Sequence, residues 1–575
     1  MSDPLATVNA LLEPVFAELN GGEPADPTVR PSDRADLQVN GALPLAKRVG
    51  ANPRELAQRV VDSGALSGVA STVEVAGPGF LNLTLSDEFL SAQLGEISVD
   101  ERLGVPLAEP QTVVVDYSSP NVAKEMHVGH LRTTVIGDAL VRMLGFLGHD
   151  VIRENHIGDW GTPFGMLIEH LLDEGMTDTA SASAIGDLDE FYKAARRQFD
   201  ASEEFQERSR QRVVALQAGD DETLRLWRVL VQVSEQHFDS VYRRLGVLLT
   251  NGDVVGESFY QPLMPEVMRR LREADLLTES DGAEVVFPPG FTNRDGDPLP
   301  LILQKKTGGF NYATSDLACV LDRVERLGAD RLLYVVDAGQ SLHFEMVFKV
   351  AEMAGWLVPP TEAHHVQFGI VLGTDRKRLR SRSGEPLKFS DLLDEADERA
   401  HAAVADKNPD LSDELRAEVA RMIGIGAMKY AELSSDRVKD YIFDWDRMLS
   451  FDGNTAPYLQ YAHARICSIF RRSGVERGTV RSSPIEIGEP QERALALRLL
   501  GYPTALANAL DTYSPHKLCT YIYELATDFT AFYEHCPVLK AEEPMRTSRL
   551  ALADLTARLL EHGLGLLGID VPDQM

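Results

Sequence analysis

A strand that feeds into a histidine-bearing helix constrains this chain more than any other feature. The β-branched run Thr112-Val113-Val114-Val115-Asp116 predicts a buried strand, ended by the polar break Tyr117-Ser118-Ser119-Pro120-Asn121. His127-Val128-Gly129-His130 follows. Then Leu131, Val135, Ala139, Leu140, Met143, Leu144 and Leu147 recur at helical spacing with no proline between them. A helix opening after a strand presents unpaired amides and the positive end of its dipole, so the pattern predicts a phosphate site. The two histidines, one turn apart, add donors aimed at the same spot. Gly129 reads as the point where a flat group, an adenine or ribose, approaches the backbone.

At 575 residues the chain has length for roughly four domains of about 150 residues each, and its 44% hydrophobic content permits a large core. No apolar run approaches the ~20 residues that span a bilayer, and Met1-Ser2-Asp3-Pro4 lacks a signal-peptide pattern. The four cysteines, Cys319, Cys467, Cys519 and Cys536, form no Cys-x-x-Cys pair, which suits a reduced cytoplasmic protein without a zinc knuckle. The net charge of −31 argues, taken alone, against nucleic-acid binding. Local fields matter more than the sum, and Arg376-Lys377-Arg378, Arg380, Arg382 and Arg471-Arg472 form basic strips.

Along the chain, residues 1–108 read as a small α/β domain. Helical patterns (Leu5 to Leu19, Pro53 to Ser63) alternate there with strand-like Val73-Glu74-Val75 and Phe80-Leu81-Asn82-Leu83, and Gly77-Pro78-Gly79 is a turn. Residues 109–395 read as a doubly wound, parallel-sheet, Rossmann-like α/β domain with a helical insertion at about 180–250. Strand signals return at Val285-Val286-Phe287, Leu332 to Val336 and Val366 to Leu372. Residues 396–575 read as almost wholly helical.

A second phosphate-type element is Gly373-Thr374-Asp375-Arg376-Lys377-Arg378-Leu379-Arg380-Ser381-Arg382-Ser383-Gly384, a basic, glycine-bounded loop between a strand and a helix expected near Ser390. Such a loop can close over a triphosphate. The segment SSPNVAKEMHVGHLRTTVIGDAL resembles the first signature ("HIGH") of class I aminoacyl-tRNA synthetases, and the basic loop resembles the second ("KMSKS") in degenerate form. With Ser119-Pro120-Asn121 before it and Glu154 to Gly161 behind, the pattern resembles the arginyl-tRNA synthetase family, and the likeness runs from about residue 36 to 575.

That resemblance implies an ATP site over Pro120, Asn121, Val122, Ala123, Lys124, Glu125, Met126, His127, Val128, Gly129 and His130, with Arg378, Arg380 and Arg382 from the loop. Arg378 matches the first lysine of the signature, while Ser381 stands where the second belongs. Family members lacking that lysine tend to carry one before the first histidine. Lys124 is therefore expected to act with His127 and His130 in catalysis; otherwise it is a solvated loop lysine. A guanidinium is best met by paired carboxylates. The family's matching positions assign the arginine side chain to Glu257, Tyr312 and Asp316, and its α-amino and carboxylate groups to Asn121 and Gln340. Tyr312 reads equally as a half-buried core tyrosine and Asp316 as a helix N-cap. His156 and Asp159-Trp160-Gly161 match residues lining the same pocket, although a lone histidine after a strand is usually structural.

The resemblance also implies contacts to tRNA-Arg. The N-terminal module, through Gln38 and Asn40, would meet the tRNA corner, with Leu37 standing where an aromatic is usual. An anticodon-binding domain over about 452–575 would use Tyr458 and Met575. Tyrosines there could stack on unpaired bases, though aromatics at helical spacing are more often core. The expected function is that of an arginine–tRNA ligase: a cytoplasmic monomer with no membrane contact, using ATP as its Mg2+ complex, L-arginine and tRNA-Arg, and holding no tight cofactor or resident metal. The alternatives are another class I synthetase and a non-catalytic tRNA-binding relative.

Overall fold

A computed structural model describes residues 3–178, 188–380 and 387–575. It divides into two compact units, one of Ala108–Ala402 with Ala431–Met448, the other of Met1–Leu107, Ala403–Tyr430 and Leu449–Met575.

The first unit is built on the strand read from Thr112–Asp116. Its three valines are at most 1% exposed, as a strand covered on both faces requires. The sheet is parallel, in the order Glu362–His365, Arg331–Tyr334, Thr112–Asp116, Asp150–Glu154. The chain moves one way from Thr112–Asp116 to Asp150–Glu154, then returns to the other side for its last two strands. The switch therefore falls between Thr112–Asp116 and Arg331–Tyr334, and a crevice opens at their carboxyl ends. The helices Val128–Leu147, Tyr312–Glu325 and Ser341–Met353 all start there.

Two strand expectations need correction. Val366 to Leu372 is not the fourth strand. The more polar Glu362–His365 pairs with Arg331–Tyr334 instead; within Val366 to Leu372 the one strand is Val371–Leu372, against Tyr441–Ile442, with a single bridge from Phe368 to Asp337. Between them the backbone turns to other partners: the Gly369 N–H donates to the Arg437 carbonyl at 2.9 Å, and the Gly369 carbonyl accepts from Arg132 at 2.8 Å. Val285 and Val286 do form a strand, Ala283–Val286, but it is the middle of a separate antiparallel sheet between Thr278–Ser280 and Leu301–Gln304. Between the two β-regions stand the helices Leu188–Ala201, Glu203–Gln217 and Asp221–Leu245, buried through Phe191, Phe205 and Phe238.

In the second unit an antiparallel sheet runs Val29–Ser32, Ala35–Val39, Phe80–Leu85, Ala70–Ala76. Gly77 and Gly79 turn its last hairpin with φ of +52° and +125°, conformations a side chain resists. The first two strands were not legible, because Pro31 and the charged Arg30, Asp33, Arg34 and Asp36 mask any alternation. The remainder is helical, with long members Ala456–Ser473, His516–His535 and Met545–Leu566.

Candidate active site

The loop from Asp116 to His127 holds an unusual backbone. Ser118, Ser119 and Ala123 all have positive φ (76°, 50° and 58°), a conformation that costs non-glycine residues energy and persists only when over-determined. Hydrogen bonds supply the constraint. The Ser118 N–H donates to Thr133 Oγ1 at 3.0 Å, and Ser118 Oγ pairs with the Tyr242 hydroxyl at 2.7 Å. The Ser119 N–H donates to Asn155 Oδ1 at 3.0 Å and the Ala123 N–H to Ser234 Oγ at 2.9 Å. Two of these anchors, Ser234 and Tyr242, lie on the inserted helix Asp221–Leu245.

The two histidines cap their helix for each other. His127 is the N-cap; its Nδ1 accepts from the Gly129 N–H at 3.0 Å. His130 Nδ1 accepts from the His127 N–H, also at 3.0 Å. With both Nδ1 atoms accepting, each neutral ring carries its proton on Nε2, which leaves two Nε2–H donors. Neither ring charges readily. Burial lowers His127, and Arg378 and Lys124 lower it further against the pull of Asp189. Burial and the neighbouring His127 push His130 down to about 3. Gly129 lines the cavity described below, and it also makes room for its neighbour: an added Cβ would meet the His127 ring at 2.8 Å.

The basic loop reaches this helix start. Its described part, Gly373 to Arg380, folds back as a hairpin: the Gly373 N–H donates to the Lys377 carbonyl at 2.8 Å and the Leu379 N–H to the Val371 carbonyl at 3.0 Å. Beyond residues 381–386 the chain pairs with the histidine segment, Val128 N–H to the Leu387 carbonyl (3.0 Å) and Phe389 N–H to the Met126 carbonyl (2.9 Å). A cavity of about 620 Å3 lies over the switch point, lined by His127, Gly129, His130, Gln340, Arg378 and Arg380 among others. That is an ordinary size for a nucleotide-class ligand.

An acidic pocket is built from the Asp150–Glu154 side of the sheet. Asp159 accepts from the Ser258 N–H (2.8 Å) and Ser258 Oγ (2.6 Å), fixing the short helix Glu257–Tyr260. Gly256 is obligatory there, since a Cβ would strike the Asp159 carboxylate at 2.3 Å. Burial, with the Asp159 and Asp316 carboxylates, pushes Glu257 up to about 7. Asp316 accepts from His343 Nε2 at 2.6 Å, and the His343 ring lies 4.7 Å from that of Tyr312. Among the described residues no lysine or arginine is paired with these three carboxylates, which suits a cationic guest.

The comparisons with known proteins match this geometry. The family model for the class I tRNA synthetase (R) catalytic domain matches residues 93–445, an arginyl-tRNA synthetase N-terminal domain matches 6–85, and a DALR anticodon binding domain matches 459–575. An arginine–tRNA ligase of Thermobifida fusca is 53% identical over 578 residues, covering all of both chains. The chain belongs to the arginyl-tRNA synthetase family. A relative of the same name from Frankia casuarinae is 50% identical, covering 99% of this chain and 97% of its own. The arginyl-tRNA synthetase structures from Plasmodium falciparum and Thermus thermophilus superpose with TM-scores of 0.85 and 0.81, at 29% and 27% identity; each comparison covers 99% of this chain, and respectively 99% and 100% of the other.

Not every residue expected for this synthetase's sites falls on a cavity. Lys124 lies outside the 620 Å3 lining, its Nζ 4.6 Å from the centre of the Tyr192 ring, yet its charge is felt at His127. Val122, Ala123 and Met126 are buried core, so their side chains hold the loop. Asn121 is exposed and stitched to Gly158, while Gln340 lines the histidine cavity. Neither bland alternative at the acidic pocket holds: Tyr312 is 64% exposed, not core, and the N-cap of its helix is Asn311, not Asp316. Arg382 and Ser381 lie outside the described residues. Gln38 is buried, donating to Asn82 Oδ1 at 2.8 Å; Asn40 pairs with Gln38 and Arg30. Tyr458 is half-buried beside Tyr523, with ring centres 5.7 Å apart, and the Met575 carbonyl accepts from Asn408 at 3.0 Å.

Sequence reasoning missed two arginines, both fully buried. Arg323 bridges Asp116 (2.6 Å) and Glu154 (2.7 Å) at the ends of adjacent strands. Arg132, the second residue after His130, pairs with Glu432 at 3.1 Å and donates to the Gly369 and Lys439 carbonyls. Arg132 and Arg323 resemble any surface arginine until the fold places carboxylates around them.

Proposed function

We propose that the histidine cavity holds ATP and the acidic pocket holds the arginine side chain, for the reaction of an arginine–tRNA ligase. In that reaction an arginine carboxylate oxygen bonds to the α-phosphorus, the bond to the bridging oxygen breaks, and pyrophosphate leaves. A terminal hydroxyl of the tRNA then attacks the arginyl carbonyl and AMP departs. No protein nucleophile is required. What the protein supplies is alignment and donors aimed at oxygens that gain charge in the five-coordinate phosphorus state.

His127 and His130 serve as neutral Nε2–H donors to the phosphates, not as proton carriers. Lys124, Arg378, Arg380 and Arg382 supply the positive charge, and ATP enters as its Mg2+ complex. Glu257 and Asp316 meet the guanidinium, with Tyr312 against its face, while Asn121 and Gln340 hold the amino and carboxylate ends. The observation that carries this assignment is that one α/β unit holds two sites of opposite character. One is lined by donors and basic side chains, and the other has carboxylates crowded enough to keep Glu257 protonated near neutrality.

Gln38, Asn40, Tyr458 and Met575 mark the surfaces proposed for tRNA-Arg. The reading takes the chain as a monomer; four free, buried cysteines support a reducing, cytoplasmic setting. Among the described residues no helix is long and apolar enough to cross a membrane.

Replacing Asp316 by Asn tests the assignment. Leaving guanidinium donors unpaired costs about 2–5 kcal/mol, so KM for arginine should rise far more than KM for ATP in steady-state aminoacylation. An equal rise in both, or none, would remove Asp316 from the arginine pocket.

A further inference from the structure

Behind the acidic pocket the side chains of His156, Asp316 and Cys319 converge. One nitrogen, one carboxylate oxygen and one sulfur lie within 4.8 Å of one another, and Cys319 Sγ is 3.9 Å from His156 Nδ1. The convergence follows from the fold. Asp316 and Cys319 are three residues apart on the helix Tyr312–Glu325 and so share a face. His156 arrives from the loop that follows the strand Asp150–Glu154.

Guanidinium recognition needs no sulfur, because a thiol is a weak acceptor compared with a carboxylate. A nitrogen, a sulfur and an oxygen at this spacing match a different guest. Zinc bonds of about 2.0 Å to nitrogen and 2.3 Å to sulfur, set tetrahedrally, hold those two atoms about 3.5 Å apart. The observed 3.9 Å closes to that value with a few tenths of an ångström of side-chain movement.

The surroundings favour a cation. The Asp159, Glu257 and Asp316 carboxylates act on one another across the pocket. The buried Arg323 is already engaged by Asp116 and Glu154. His343 holds Asp316 through Oδ2 at 2.6 Å.

We propose that this cluster binds a zinc-class divalent cation through His156, Asp316 and Cys319 when the arginine pocket is empty, and that the ion competes with arginine because both need Asp316. Binding makes a sulfur–metal bond and releases the thiol proton to solvent. The competitive half rests on the placing of arginine in this pocket. The consequence is an enzyme whose arginine requirement rises with free zinc.

Cobalt(II) added to the full-length chain, without ATP or tRNA, is the probe, because a cobalt–thiolate bond absorbs in the near ultraviolet. We expect the band in the wild type, its displacement by zinc, and its loss on adding arginine; Mg2+, a hard ion, leaves it unchanged. Cys319→Ala, small for small, should abolish the arginine-sensitive band. It should also raise the zinc concentration that doubles KM for arginine by at least the 10–100-fold typical of a lost outer-shell partner, roughly. Cys467 lies in a second cluster with His463 and Asp573, so Cys467→Ala is run alongside and should keep the arginine-sensitive band.

No thiolate band in the wild type, or a band unchanged in Cys319→Ala, overturns the site. A Cys319-dependent band that arginine leaves untouched supports the ion site and overturns the placing of arginine there.

Discussion

Two imidazoles that cap one helix for each other are fixed in tautomer as well as in position, and that has a consequence for pH. Because His130 is held down to about 3 and His127 is also lowered, neither gains a proton at the ordinary imidazole value of 6.5. The turnover number should show no inflection there, and a limb at that pH that disappears in His127→Asn would contradict neutral donors. Glu257 behaves oppositely. Its pKa in the folded, empty protein, about 7, lies above the ordinary 4.5. Its contribution to stability is therefore full below pH 4.5 and is lost as pH rises through 7. A bound guanidinium draws the carboxylate down, so arginine binding releases a proton and weakens as pH falls below 7. Calorimetry just below that pH, in buffers of different ionisation heat, should detect the release and find it missing in Glu257→Gln; wild-type binding without proton exchange would refute the assignment. For Lys124, single-turnover aminoacylation on Lys124→Ala, Ser381→Lys and the double variant should give a coupling of about 1–3 kcal/mol; strictly additive losses would mean that Lys124 does not replace the absent loop lysine. The motif singled out the two histidines and the family resemblance singled out Glu257 and Asp316, whose carboxylates the fold brings close enough to act on each other. The contact of Gly129 with the His127 ring was not legible, because it depends on where that ring folds.

At the scale of elements, the helix Tyr312–Glu325 presents Tyr312 and Asp316 in its first turns, and Arg323 near its end ties it to two strand ends through Asp116 and Glu154. Arg323 acts through that helix as a positioning residue. Arg323→Met leaves two carboxylates buried without their cation, which costs about 3–5 kcal/mol in denaturant unfolding. Among molecules still folded, KM for arginine should rise while KM for ATP holds; a variant as stable as the parent would show that the pair does not organise the pocket. The central strand was legible because three buried valines leave no other reading. The edge strand Glu362–His365 was not, since its Glu-Ala-His-His sequence gains its structure from the backbone of Arg331–Tyr334 and not from an apolar pattern. The apolar run Val366 to Leu372 misled for the converse reason: Val366, Phe368 and Val371 are buried, but Gly369 in their midst bonds to Arg132 and the Arg437 carbonyl and not to a neighbouring strand.

At the scale of the molecule, each compact unit carries its own logic. In the unit formed by both ends of the chain, Arg493 forks onto Asp36 at 2.9 and 2.7 Å and also donates to Asp87 and the Leu85 carbonyl. The small sheet and the helical region therefore fold as partners, a relation between distant segments that no local pattern in the sequence could reveal. Arg493→Ala should cost about 1.5–3 kcal/mol in denaturant unfolding, the usual worth of hydrogen bonds to a charged group; no loss would mean that the contact is incidental. The other unit holds a cavity lined by donors and basic side chains and a separate cluster of carboxylates, and the central claim is that together they join ATP to arginine. The most direct test is ATP–pyrophosphate exchange on the full-length chain with tRNA-Arg present, run with each of the protein amino acids in turn. Exchange with arginine, strongly reduced in Asp316→Asn at low arginine, is the result expected. Exchange driven by another amino acid while arginine fails would contradict the account.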